Sequence, residues 1–112
     1  MLLPLFGCSF SFPGLSLTSK TDVRILSGIQ NQSITLINRS PGTVDLKQWK
    51  LIEAVSSTGK TLHEYTVPSS TLMASGATLV LTASTLGLQL GPATTIYLVD
   101  VSSTTESIFY FL

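Results

Sequence analysis

Few residues in this chain could do chemistry, and none stands where a chemical partner would be needed. His63 is the only histidine and Cys8 the only cysteine. A histidine becomes a general base or a metal ligand when carboxylates, thiolates or further imidazoles converge on it. No Cys or His cluster is available to join His63, which reads as a strand-end residue without a chemical task. The acids Asp22, Asp45, Glu53, Glu64, Asp100 and Glu106 are scattered singly, so a catalytic pair would have to be assembled by the fold from distant strands. Neither a glycine-rich phosphate loop nor a nucleophile elbow occurs. The expectation is a chain that is not an enzyme and uses no metal and no cofactor.

Binding chemistry has more to work with. Every basic residue lies in the first 60 positions: Lys20, Arg24, Arg39, Lys47, Lys50 and Lys60. Arg39, Lys47, Lys50 and Lys60 flank the single tryptophan, Trp49, and could converge into a basic patch able to meet phosphate. With a net charge of zero, strong nucleic-acid electrostatics are not expected, and a solvated set of charges is the simpler reading. The final segment, Glu106 to Phe111, offers a second surface. If Ile108 and Tyr110 face the core, Phe109 and Phe111 point outward and call for a cover, either from the apolar N-terminal segment or from another chain. Asn38 is expected to bond backbone where a strand ends. The sequons at Asn31 and Asn38 read as chance matches in a chain more than a quarter Ser and Thr.

The elements that must position these residues are strands. Charged residues make up 11% of the chain and hydrophobic ones 44%, a mixture that suits pleated sheets with hydroxyl-rich outer faces. From Asp22 onward, short alternating runs are separated by turn residues. They predict strands near Asp22 to Ser27, Ser33 to Asn38, Gln48 to Glu53, Leu62 to Val67, Thr78 to Ala83, Thr95 to Val101 and Glu106 to Phe111, with no substantial helix. Gly28 to Gln32, Ser40 to Gly42, Ser56 to Gly59, Pro68 to Gly76 and Gly87 to Pro92 read as the connecting turns. About seven short strands at this spacing predict an all-β sandwich. Parity assigns its core to Ile34, Leu36, Trp49, Leu51, Tyr65, Val67, Leu79, Leu81, Ile96 and Leu98. Burying such side chains contributes about 1.5–3 kcal/mol each before entropy is subtracted, enough for one domain of this length.

Three segments stand out together: Ile34-Thr35-Leu36-Ile37-Asn38-Arg39-Ser40, then Leu46-Lys47-Gln48-Trp49-Lys50-Leu51, then Tyr65-Thr66-Val67-Pro68 followed by Thr71-Leu72 and Ser75-Gly76-Ala77-Thr78. In this order they resemble the lamin tail domain, an immunoglobulin-like sandwich module of nuclear lamins and of prokaryotic and secreted proteins. The resemblance covers roughly Asp22 to the end and implies a structural or protein-interaction module. The stretch between Leu81 and Thr95 is shorter than in the nuclear form, no second tryptophan region is present, and no heptad repeat could drive filament assembly. These departures bring the chain closer to the free-standing or secreted versions. An extracellular or cell-envelope accessory domain is one expected setting, and a nuclear domain contacting chromatin or DNA is the alternative. A protein partner is expected, and self-association is compatible with the outward aromatics.

Residues 1–20 stand apart from the sandwich domain expected over 21–112. They are apolar but interrupted by Pro4, Pro13 and several Ser and Gly, so no run approaches the roughly 18 residues of a membrane helix. No basic start precedes the apolar stretch as a signal peptide would require. Leu5-Phe6-Gly7-Cys8 is only faintly similar to a lipoprotein cleavage site. The segment is expected either to pack on the sandwich or to stay disordered.

Overall fold

The computed structural model describes residues 21–112, and the expectations for residues 1–20 lie outside it. Strand β1 spans Val23–Ile29 and β2 spans Ser33–Asn38. A two-residue strand β3, Val44–Asp45, precedes β4, Lys50–Val55, and β5, Thr61–Thr66. A second two-residue strand, β6, Leu72–Met73, pairs with β3. Then come β7, Thr78–Thr82, a single helical turn α1 over Ala83–Leu86, β8, Thr94–Val99, and β9, Thr105–Phe111.

Two antiparallel sheets form an all-β sandwich, one ordered β1-β2-β7 and the other β5-β4-β8-β9. The order is immunoglobulin-like: the first, second and fifth long strands make one sheet, and the third, sixth and seventh make the other with the fourth on its edge. Nine strands replace the seven expected because β3 and β6 are too short to carry a period of two in the sequence. Strand β3 lies between the turn read at Ser40 to Gly42 and the strand read from Gln48, and β6 lies inside the stretch read as a turn over Pro68 to Gly76.

Alternation builds the interior. Val23 and Ile25, Ile34 and Leu36, Leu51, and Ile96 and Leu98 are buried between the sheets, with Tyr65, Leu79 and Leu81 half-buried against them. Leu46, Trp49, Val67 and Met73 join this core at the end where β4 begins. Leu86, Leu88 and Leu90 join it at the other end, so the stretch read as a simple turn over Gly87 to Pro92 is a buried crossover. Its helical turn starts at Thr82, whose hydroxyl accepts from Thr85 N–H, and stops at Gly87, which takes a left-handed φ of 67°. Leu90 also has a positive φ, 52°, an unfavourable conformation for so bulky a side chain. It is held by its complete burial and by the bond from Asn31 N–H to its carbonyl at 2.9 Å.

The last strand corrects the parity expected for it. Phe111 is 5% exposed and Phe109 packs on the core, while Ile108 and Tyr110 are 45% and 63% exposed. Directly opposed residues of an antiparallel pair share a face. Phe109 stands opposite Ile96, and Ile108 opposite Tyr97, so the buried Ile96 draws Phe109 inward. The two rings meet edge to face with centroids 5.0 Å apart. They lie against Gly28 of β1, where an added Cβ would come within 2.7 Å of Phe111 Cζ and 2.9 Å of Phe109 Cε2.

Candidate protein-interaction surface

Turning Phe109 and Phe111 inward moves the exposed apolar surface to the other side of the same strand. Cross-strand register places Ile52, Tyr97 and Ile108 in one row across β4, β8 and β9, and Ala54, Thr95 and Tyr110 in the next. All six face away from the core. Ala54 and Thr95 are 2% exposed even so, forming a low floor between larger neighbours, with Thr95 Oγ1 and Ser56 Oγ 2.8 Å apart. Leu62 on β5 is also exposed. At the margin Lys50 Nζ lies 3.8 Å from Glu64 Oε2, both side chains nearly half exposed, a geometry that stabilises little. The surface has apolar and aromatic residues at its centre and charges at its edge, the composition of interface cores and rims.

The four cations proposed as a patch do not form one group, because Lys60 stands at the other end of β4 from Lys47 and Lys50. Arg39 follows β2, Lys47 lies in the turn before β4, and Lys50 opens β4. Lys60 sits in the β4–β5 turn, at the far end of β4. Six residues of strand separate the two ends by about 17 Å, so Lys60 stands apart from Lys50.

The polar residues serve the fold. Asn38 is fully buried, donates through Nδ2 to Met73 O at 2.8 Å and Gly42 O at 3.0 Å, and accepts Ser40 N–H at 2.8 Å. This is the backbone-bonding role its type and position suggest, and it also seals that sequon from solvent. His63 differs from the reading of an idle residue: its Nδ1 is 3.3 Å from Glu53 Oε1. Glu53 is 0% exposed and accepts N–H donors from Gln89 at 3.0 Å and Gly91 at 3.3 Å. The carboxyl group thereby pins the crossover to β4. Sequence reasoning passed over Glu53, although it shares the face of Leu51 by simple parity.

An open cleft of about 700 Å³ is lined by Thr21, Asp22, Arg24, Thr104, Thr105 and Glu106. Within it Arg24 grips Asp22 through two bonds of 2.9 and 3.3 Å. Nearby, a hydrogen bond with Glu106 is the main cause holding Asp100 down to about 2. The Ser102 hydroxyl and the N–H groups of Ser102 and Thr104 assist. At the end of β3, Asp45 is lowered by the hydroxyl of Ser70 and the N–H groups of Thr71 and Lys47. Among the described residues no group of three or more His, Cys, Asp or Glu could hold a metal ion, and no helix is long and apolar enough to cross a membrane.

No protein-family model matches this chain, and comparison with curated proteins finds no similar sequence.

Proposed function

We propose that this chain is a non-catalytic interaction module, similar to a lamin tail domain, that binds a protein partner through the outer face of β5-β4-β8-β9. The observation carrying this reading is the row Ile52, Tyr97 and Ile108 beside Tyr110, with Ile108 and Tyr110 about half exposed or more on a regular sheet. An aromatic surface of this kind on a rigid platform favours a partner that covers it. The similarity to lamin tails gains support from how its three segments converge. Gly76 N–H donates to Asn38 O at 2.7 Å, and Val67 N–H donates to Trp49 O at 2.8 Å.

The test is a photo-crosslinking residue placed at position 110 and, separately, at position 39 in the full chain within its source cells. Protein adducts at 110 that disappear with Ile108→Glu support the reading. Adducts confined to position 39, or adducts to nucleic acid, would sink it in favour of a DNA-contacting role for the cations.

A further inference from the structure

Three of the four border strands of the large sheets are guarded. Strands β1 and β9 lie along each other: Ile25 N–H donates to Ser107 Oγ at 3.0 Å, and Gln30 Nε2 donates to Leu112 O at 3.0 Å. Strand β5 carries His63 and Glu64, with Lys60 just before it, and its register with β4 is broken by a bulge. Strand β7 has none of these devices. Thr78–Thr82 is uncharged and free of proline, and it pairs with β2 without a bulge. Among the described residues no strand lies on its other side. Charge, proline, bulges or a covering element are the usual protection of an open edge, and a bare edge is a template for another strand.

The direction of the open hydrogen-bonding groups follows from the register. Asn38 N–H donates to Ala77 O at 3.0 Å, and Ala83 N–H donates to Gln32 O at 2.7 Å. Both pairs continue the β2–β7 register, in which bonded and non-bonded pairs alternate. Leu79 and Leu81 therefore bond to β2, Thr78 and Val80 direct both their N–H and C=O groups to the open side, and Thr82 directs its N–H there while its C=O accepts the first bond of α1. The strand reads Thr-Leu-Val-Leu-Thr, the same in both directions.

We propose that β7 pairs antiparallel with β7 of a second copy of this chain, about a two-fold axis through Val80. The three-stranded sheets of the two copies then continue as one sheet. A two-fold contact must complement itself, and this strand does so in both side chains and backbone. Thr78 meets Thr82 of the second copy, Leu79 meets Leu81, and Val80 meets Val80. The phase that turns Val80 outward makes the central pair a bonded one, with Thr82 N–H donating to Thr78 C=O on either side, giving about four new hydrogen bonds. No like charges oppose each other, and Thr–Thr neighbours are favourable. So short an edge makes a small interface of the weak, reversible class, populated at chain concentrations of about 10–500 μM.

Sedimentation equilibrium of the full chain, compared with Val80→Lys and Val80→Pro, tests the contact. Val80 is 59% exposed and its N–H faces out, so both variants should keep the thermal midpoint of the parent. If Val80→Pro fails to fold, Val80→Lys alone decides. The expected result is a concentration-dependent dimer for the parent and dimerisation weakened more than about tenfold in the variants. A Cys8→Ser/Val80→Cys chain should form a disulfide dimer on mild oxidation, since Cα atoms of a bonded pair lie about 5.5 Å apart, within disulfide reach. Cys8→Ser/Glu64→Cys, on the other sheet, should not. Three results would overturn the proposal: a parent that stays monomeric without cross-linking at position 80, a dimer unaffected by Val80→Lys, or dimers only after residues 1–20 are removed. The second would place the contact elsewhere, such as the outer face of β5-β4-β8-β9, and the third would make that segment the occupant of the edge.

Discussion

Asn38 and Glu53 are both fully buried polar side chains, yet only one was legible in the sequence. Asn at a strand end before Ser-Pro-Gly signals local backbone bonding, and the bonds to Gly42 and Ser40 are local. Glu53 is different because an acid on a short strand is expected at the surface, and its partners Gln89 and Gly91 lie 36 and 38 residues away. Replacing it tests its task. Glu53→Gln keeps the shape but turns an NH₂ group toward one of the two N–H donors, leaving that donor buried and unpaired. The expected cost is about 1–3 kcal/mol in urea denaturation, with faster hydrogen exchange at Gln89 and Gly91. Unchanged exchange there would mean that the crossover is held by its leucines instead. Asp100 makes a pH-dependent contribution. Its folded value is about 2 against 3.8 for the free group, so the unfolded chain binds the proton more readily. The stabilisation is complete above about pH 4 and drains away as pH falls toward about 2. Asp100→Asn should flatten stability across that window, with NMR titration of the Asp100 carboxyl locating its midpoint.

Strand β9 is where alternation alone could not decide. Ile108, Phe109, Tyr110 and Phe111 are apolar at both phases, and a period of two has no preferred face when both faces are hydrophobic. Register resolves it: Ile96 was assignable to the core from its own strand, and Phe109 lies directly opposite. Gly28 adds a second constraint, since its missing Cβ leaves the space that the two rings approach. The assignment predicts opposite outcomes for neighbouring residues. Phe111→Ala should destabilise the chain by about 3–5 kcal/mol, while Tyr110→Ala should stay within about 0.5 kcal/mol. Thermal or urea unfolding of the two variants reads the difference directly. Equal losses would reject the facing described for β9.

At the scale of the molecule, the sandwich was legible because seven of its strands are long enough to show alternation and are separated by turn residues with definite backbone preferences. Strands β3 and β6 were not, since two residues carry no period. The interaction surface was half legible: the last strand was identifiable as bearing exposed aromatic surface, but which residues bear it depended on a pairing 13 residues distant between Ile96 and Phe109. Lys60 is separated from Lys50 by the length of β4, which no count of charges reveals. What binds the two sheets into one unit is the shared core, and Trp49 reports on it. It is 4% exposed and belongs to the cluster that includes Ile34 and Leu36 of one sheet and Leu51 and Ile96 of the other. It is also the only tryptophan in the chain, so its fluorescence is an unambiguous probe of that end of the sandwich. Far-UV circular dichroism follows the strands of both sheets together. If the core is continuous, the fluorescence and dichroism transitions in urea should coincide, as two-state unfolding of a small domain requires, and Trp49→Ala should shift the dichroism midpoint by a loss of about 3–5 kcal/mol. A tryptophan signal that melts before the strands would instead mean that this end opens as a separate unit, independent of the crossover pinned by Glu53 at the other.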